Sequence, residues 1–337
     1  MRKWISIGLV VLFVAGAGVH WDCWLPDATA FALHQYQPIS MKNIGIFLLK
    51  HTDPMMNNVA RYLASVPEEA PDELFLYFLE QEEPIANQDS VQAANLSAIS
   101  GIYTEYDGTA VANTTDFDIG ENLTKSVKMP TFTDGKPAVL IYHTHTTECY
   151  RNEKGITNTE DASQNVVAVG DAMKRVFEDA GYETIHLKTI LNRDFSNAYP
   201  TARAAVEKVL KENPSIQVVL DIHRDSISSN GVDYYPVTNV NGKEAAQIMF
   251  VCGTDAKGLS HPKWRENFTY ALQLSRKMGE LYGELSRPVN LRTDRFNTHF
   301  TPYTLLVEVG SSANTLSQAV YGGELTAKAM ISLWKNP

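Results

Sequence analysis

Two histidines and a glutamate stand close together in His143-Thr144-His145-Thr146-Thr147-Glu148. A third histidine sits in Asp221-Ile222-His223-Arg224-Asp225, and a lone carboxylate interrupts the apolar run of Val307-Glu308-Val309-Gly310. His-x-x-Glu with a distant His supplies two neutral imidazoles and one carboxylate, the donor set of a three-ligand zinc site whose fourth position is left to water. Zinc lowers the pKa of that water toward about 7, and a further carboxylate can take its proton and pass it to a leaving amine. On this reading His145, Glu148 and His223 are the metal ligands and Glu308 is the general base. Glu308 is singled out by its neighbours Leu305, Leu306, Val307 and Val309, among which an unpaired charge is costly. His143 would share the face of His145 on a continuing strand. It is either the ligand itself or a catalytic neighbour that hydrogen-bonds behind a ligand or stabilises an oxyanion. Asp221, Arg224 and Asp225 also admit the reading of an ordinary salt-bridged turn, and only its position beside Glu148 suggests Cys149 as a nucleophile. The remaining histidines read as structural, His299 least clearly because Arg292, Arg295 and Asn297 cluster before it.

Such residues need rigid elements to carry them. From Lys136 onward short apolar runs alternate with amphipathic ones, the pattern of an α/β sheet. Strands are predicted over 138–142, 183–187, 217–222 and 303–309. Helices are predicted from Val166 to a cap at Gly181, over 201–212, over 264–282 and over 316–334. Asn241-Gly242 between the runs 237–240 and 246–251 predicts a hairpin. Each of the three chemical segments falls at or just after the carboxyl end of a predicted strand, where open α/β sheets place their sites.

The 337 residues, 44% hydrophobic, suffice for one large domain with appendages. The net charge of −10 comes from one stretch, since 13 acidic residues and no Lys or Arg lie between Tyr62 and Thr124. The remainder is mildly basic without a clustered basic face, which excludes a nucleic-acid partner. Three scattered cysteines exclude a disulfide framework or a Cys-based zinc cluster, so any metal must rely on His and carboxylates. Arg2 and Lys3 precede an apolar run from Trp4 to Val19 closed by Trp21 and Trp24. This is an export signal, and the boundary tryptophans favour a retained single-pass anchor over cleavage after Ala15-Gly16-Ala17. The expected division is 1–24 signal or membrane anchor, 25–130 acidic, loop-rich extracytoplasmic extension, and 131–337 catalytic domain.

In this order, the segments YHTHTTECY, LDIHRDS, CGTD and LLVEVGSSANTLSQA resemble the stage II sporulation protein P family of cell-wall hydrolases, over most of Ala138 to Ser332. That family is similar to zinc-dependent N-acetylmuramoyl-L-alanine amidases, which carry a Glu two positions before an Asn-Val-Val helix start. Here Asn165-Val166-Val167 is present but Ser163 stands in the place of that Glu. Glu148 is therefore the substitute third ligand, with Glu160 and Asp161 as alternates. The resemblance implies an α/β fold class, an open, mostly parallel sheet flanked by helices in three layers. It also implies Zn2+ as cofactor and cleavage of the amide between N-acetylmuramic acid and L-alanine in peptidoglycan during forespore engulfment, with endopeptidase action on peptide cross-links. Implied partners are stage II sporulation protein D, a lytic transglycosylase, and stage II sporulation protein M, a membrane protein. The implied location is the cell membrane, with the catalytic domain between the mother-cell and forespore membranes. Two rivals stand beside this reading. One is a non-enzymatic wall-binding scaffold, for which Ser163 argues; the other is a barrel amidohydrolase, which needs about 250 residues where about 200 follow Lys136.

Overall fold

The computed structural model describes residues 91–94, 104–106, 109–229 and 232–336. The chain divides into units 1–79 and 80–337, and all described residues belong to the second. The expected anchor over 1–24 lies outside the described residues, among which no helix is long and apolar enough to cross a membrane.

In chain order the first elements are β1 (Val91–Ala94), β2 (Thr104–Tyr106), β3 (Thr109–Asn113), α1 (Gly120–Thr124), β4 (Val139–Tyr142), α2 (Val166–Asp179), β5 (Thr184–His186) and α3 (Ala198–Glu212). They are followed by β6 (Val218–Asp225), β7 (Ser228–Ser229), β8 (Val232–Val240), β9 (Lys243–Ala246), β10 (Ile248–Cys252), α4 (Trp264–Tyr282), β11 (Val289–Leu291), β12 (Tyr303–Ser311) and α5 (Leu316–Lys335). The central sheet has the strand order β2-β3-β11-β10-β12-β6-β4-β5. It is mostly parallel, with β10 antiparallel to β12 and β2 antiparallel to β3. A smaller sheet joins β1, β8 and β7, with β9 closing a hairpin on β8 through Asn241 and Gly242, both at positive φ.

Period-two alternation divides the apolar residues between two faces of the central sheet. Ile141, Leu220, Ile222, Val307 and Val309 join Val169, Met173 and Phe177 of α2 and Leu325 and Met330 of α5 in one core. Leu140, Tyr142 and Val219 pack instead with Ala202 and Val206 of α3. The result is a three-layer α/β domain. Asn165 starts α2 by accepting a hydrogen bond from the Val167 amide, and Thr315 with Gln318 forms a reciprocal cap at the start of α5. Alternation also puts Asp221 and His223 on the α3 face with Val219. The β12 register sets Glu308 directly beside His223.

Two elements depart from the sequence expectation. The predicted strand 246–251 breaks at Gln247, whose amide donates to Pro236 O and whose side chain donates to Glu284 O, so the run serves two sheets. Residues 104–130, placed in the extension by composition, contribute β2, β3 and α1 to the domain. Val111 is buried, and the Asn122 amide nitrogen lies 3.0 Å from Thr269 Oγ1 of α4.

Candidate metal centre

The chain turns immediately after β4, so strand alternation stops and His143 and His145 go separate ways. His143 is fully buried, its Nδ1 donates to Ile222 O at 2.9 Å, and its Nε2 lies 2.8 Å from His186 Nε2. Burial, with the neighbouring His186, pushes its pKa down to about 3. The ring sits under Gly170 of α2, where a Cβ would approach His186 Nε2 to 2.6 Å and His143 Cε1 to 3.1 Å. Both ring nitrogens of His143 are thus engaged, one with Ile222 O and one facing His186.

His145, Glu148 and His223 are brought together. The rings of His145 and His223 have centroids 5.3 Å apart at 72°, and Glu148 Oε2 lies 3.3 Å from His223 Nδ1. Two donors held about 2.0–2.1 Å from one tetrahedral ion lie about 3.3 Å apart, and two imidazoles so bound have centroids about 5 Å apart. The two observed spacings fall at these values and share His223, whose contact with Glu148 is also at ion-pair distance. As placed, no group of three His, Cys, Asp or Glu side chains among the described residues converges into a complete ligand set. The fit therefore rests on two edges of the tetrahedron and on the donor chemistry.

Asp221 supplies what sequence reading left unassigned. His223 Nε2 lies 2.9 Å from Asp221 Oδ1, at ion-pair distance but without hydrogen-bond alignment. The Asp221 carboxylate is fixed by the Thr144 amide at 2.8 Å and the Thr144 hydroxyl at 2.6 Å. A carboxylate behind the far nitrogen of a ligating histidine is the usual device for setting its tautomer. The signal in the sequence was the acid itself, embedded in the apolar run of β6. Burial disfavours charge on His223, but Asp221 and Glu148 together outweigh it and raise its pKa well above the ordinary value. Burial likewise opposes ionisation of Glu148, yet His223 and then Arg224 hold its pKa at about 2.

Glu308 differs from these paired groups. Its Oε2 is buried without a hydrogen-bond partner. Burial first, then the charge of Asp225, lifts its pKa to about 8 against the pull of His223 and Arg287. Arg287 in turn pairs with Asp225 at 2.8 Å. A carboxyl group left unsatisfied beside a histidine–carboxylate cluster marks a place where a water, ion or substrate completes the hydrogen bonding.

The remaining candidates fall outside the cluster. Arg224 reaches across from β6 to Cys149 O at 3.2 Å and Thr157 O at 3.1 Å, while its amide lies 3.3 Å from Glu148 Oε2. It holds the Glu148 loop rather than closing a salt-bridged turn. Cys149 is buried with Sγ against Ile156 O, a structural position. Glu160 is exposed and paired with Arg193 at 2.9 Å, and exposed Asp161 accepts from Ser163, so neither alternate ligand turns inward.

A histidine–carboxylate cluster at the carboxyl ends of the central strands of a mostly parallel, three-layer sheet defines the class: an α/β protein with a strand-end polar site. The chain belongs to the stage II sporulation protein P family, whose sequence profile matches residues 55–331. Stage II sporulation protein P of Bacillus subtilis (strain 168) is 29% identical over 202 residues, covering 55% of this chain and 48% of that protein. The match thus spans about half the length of that relative. Two solved structures show weaker likeness. The CwlD amidase from Clostridioides difficile, in complex with the GerS lipoprotein, has a TM-score of 0.37 and 13% identity over 58% of this chain and 94% of that one. The N-acetylmuramoyl-L-alanine amidase AmiC2 of Nostoc punctiforme has a TM-score of 0.37 and 12% identity over 60% and 97%.

Proposed function

We propose that the protein is a peptidoglycan hydrolase of sporulation that cleaves the amide between N-acetylmuramic acid and L-alanine, using one zinc ion held by His145, Glu148 and His223. The observation that carries this reading is Glu308, a carboxyl group with an unpartnered buried oxygen set beside His223 by strand register. Membership of the stage II sporulation protein P family supports the sporulation role. Bound zinc would supply Lewis acidity and a water ionisable near neutral pH. With zinc bound, whose positive charge would favour the ionised carboxylate, Glu308 would accept a proton at its free oxygen and return it to the leaving nitrogen. Asp221 orients His223, and Arg224 steadies the loop that carries Glu148. The proposal extends to endopeptidase action on cross-links, to stage II sporulation proteins D and M as partners, and to an N-terminal anchor that keeps the domain outside the membrane.

The test is elemental analysis of the full chain paired with release of stem peptides from wall sacculi, before and after chelation. About one zinc per chain is expected, with activity lost on chelation and restored by zinc. Glu308→Gln should keep its zinc and lose at least about 100-fold in rate. His223→Ala should lose both metal and activity. Full activity without metal would overturn the mechanism. The incomplete convergence of the three ligands and the serine at position 163 favour one other reading, a wall-binding scaffold. A scaffold would bind sacculi without stoichiometric zinc and release nothing.

A further inference from the structure

The loop between β11 and β12 carries a second polar cluster, made of none of the residues of the candidate centre. Arg295 Nη1 donates to Ser260 O at 3.3 Å, and the Asn297 side-chain amide donates to Tyr199 O at 2.8 Å, near the start of α3. Arg203 follows Tyr199 by one helical turn, which places it on the side of α3 that the loop covers. It is half-buried and makes no ion pair or hydrogen bond among the described residues. Two imidazoles complete the cluster. His261 is fully buried with Nε2 at 3.0 Å from Thr298 Oγ1, and the Thr298 hydroxyl gives its one proton to Arg295 O at 2.8 Å. Thr298 can therefore only accept from His261, which puts the imidazole proton on Nε2 and leaves Nδ1 a bare lone pair. That Nδ1 is buried without a partner, and so is Nδ1 of His299, whose ring centroid lies 6.3 Å from that of His261.

Charge decides what can complete these bonds. Burial first, then His299 and Arg295, pushes the His261 pKa down to about 3, and burial, then Arg295 and Arg203, pushes that of His299 to about 4. No carboxylate bears on either ring; Asp294, next to Arg295 in the chain, is paired with Lys257 at 2.7 Å. Bare imidazole nitrogens are metal donors, but a dication set against two guanidinium groups with no carboxylate to offset them is repelled. An anion that only accepts, such as sulfate, suits Arg203 but turns a lone pair toward the lone pair of His261. The ligand must be an anion that still carries a proton. A phosphate group is such a species, since inorganic phosphate and phosphate monoesters keep an O–H beside their charged oxygens in mildly acidic solution. We infer that Arg203, His261 and His299, with Arg295 beside them, form a binding site for a protonated phosphate group, either free phosphate or a terminal phosphate monoester. Arg203 donates to its charged oxygens, and its O–H donates to His261 Nδ1. The tautomer of His299 is not fixed by a neighbour, so that ring can give or take the remaining bond. The site does not depend on the hydrolase reading above.

The experiment compares inorganic phosphate, methyl phosphate, dimethyl phosphate and sulfate as ligands of the full chain by calorimetry, at about pH 6.5 and constant ionic strength. Inorganic phosphate should bind at least about tenfold more tightly than sulfate or dimethyl phosphate, neither of which carries an acid proton. Arg203→Gln should weaken phosphate binding by about tenfold or more, and Arg203→Lys by less. His223→Ala should bind phosphate as the wild type does, which separates this site from phosphate held by a metal at the candidate centre. In 15N spectra of the wild type, His261 should appear as the Nε2–H tautomer, with an Nδ1 resonance that moves on addition of phosphate and not of sulfate. These spectra keep the test decisive should Arg203→Gln fold poorly. Methyl phosphate bound as well as inorganic phosphate assigns the site to terminal monoesters, and its exclusion assigns the site to free phosphate; either result upholds it. No phosphate binding at millimolar concentration, sulfate bound equally well, or an affinity indifferent to Arg203→Gln overturns the inference.

Discussion

Asp221 and His143 show how far a single residue can be read before its neighbours are known. The types and spacing of His145, Glu148, His223 and Glu308 suffice to nominate them, because metal chemistry demands that donor set and a lone acid in an apolar strand demands a reason. Whether His143 or His145 faces the cluster was not legible, since the answer depends on where β4 ends. Sequence alternation carries no information past that turn. The outer position of Asp221 was hidden for a similar reason: it depends on Thr144 closing on it from the turn after β4. On the proposed zinc reading, Asp221→Asn should keep the fold but weaken zinc binding by about 10–100-fold, because the amide can present the wrong group to His223. Competition with a chromophoric chelator measures this directly. Unchanged affinity would show that His223 is held by packing alone.

Among the elements, the long ones were the legible ones. α4 occupies the predicted 264–282 because nineteen residues allow a periodic apolar face to stand out against noise. The short strands β2, β3 and β11 gave no such signal, since three to five residues hold too little periodicity and β3 and β11 pair with each other across a long stretch of sequence. α2 offers a test in which local and tertiary physics disagree. Gly170 lies in mid-helix, where alanine is ordinarily better by about 1 kcal/mol. Here the added methyl would meet the paired imidazoles of His186 and His143 at 2.6 and 3.1 Å. Gly170→Ala should therefore destabilise the domain by about 1–3 kcal/mol in urea unfolding. A stabilised variant would mean that the imidazole pair yields easily.

At the scale of the whole molecule, stability should fall in acid through histidines folded in their neutral form. His261 is fully buried with Nε2 on Thr298 Oγ1 at 3.0 Å, and burial, aided by His299 and Arg295, pushes its pKa to about 3. Unfolded, the same ring titrates near 6.5. Below that pH the unfolded chain takes up a proton that the folded one refuses. The stabilisation is thus complete above about pH 6.5 and drains away toward the folded pKa, by at most about 1.4 kcal/mol per pH unit. His261→Gln should lose less stability between about pH 7 and about pH 5 than the wild type, as read from urea midpoints. Equal losses would assign the acid sensitivity elsewhere. A different constraint follows from the slip in pairing between β12 and β6 after Glu308, where Gly310 has φ of 69° and a Cβ would meet Asn314 Oδ1 at 2.5 Å. Shortly beyond, Thr315 starts α5, which lays Trp334 on Phe177 with ring centroids 5.5 Å apart. One residue gained or lost between Glu308 and Thr315 would carry Ser311 and Asn314 off Tyr234 O and Pro236 O, the backbone carbonyls to which they donate. Descent can therefore respell this stretch but not lengthen or shorten it, and gaps in alignments of related chains should collect in the 151–164 loop instead.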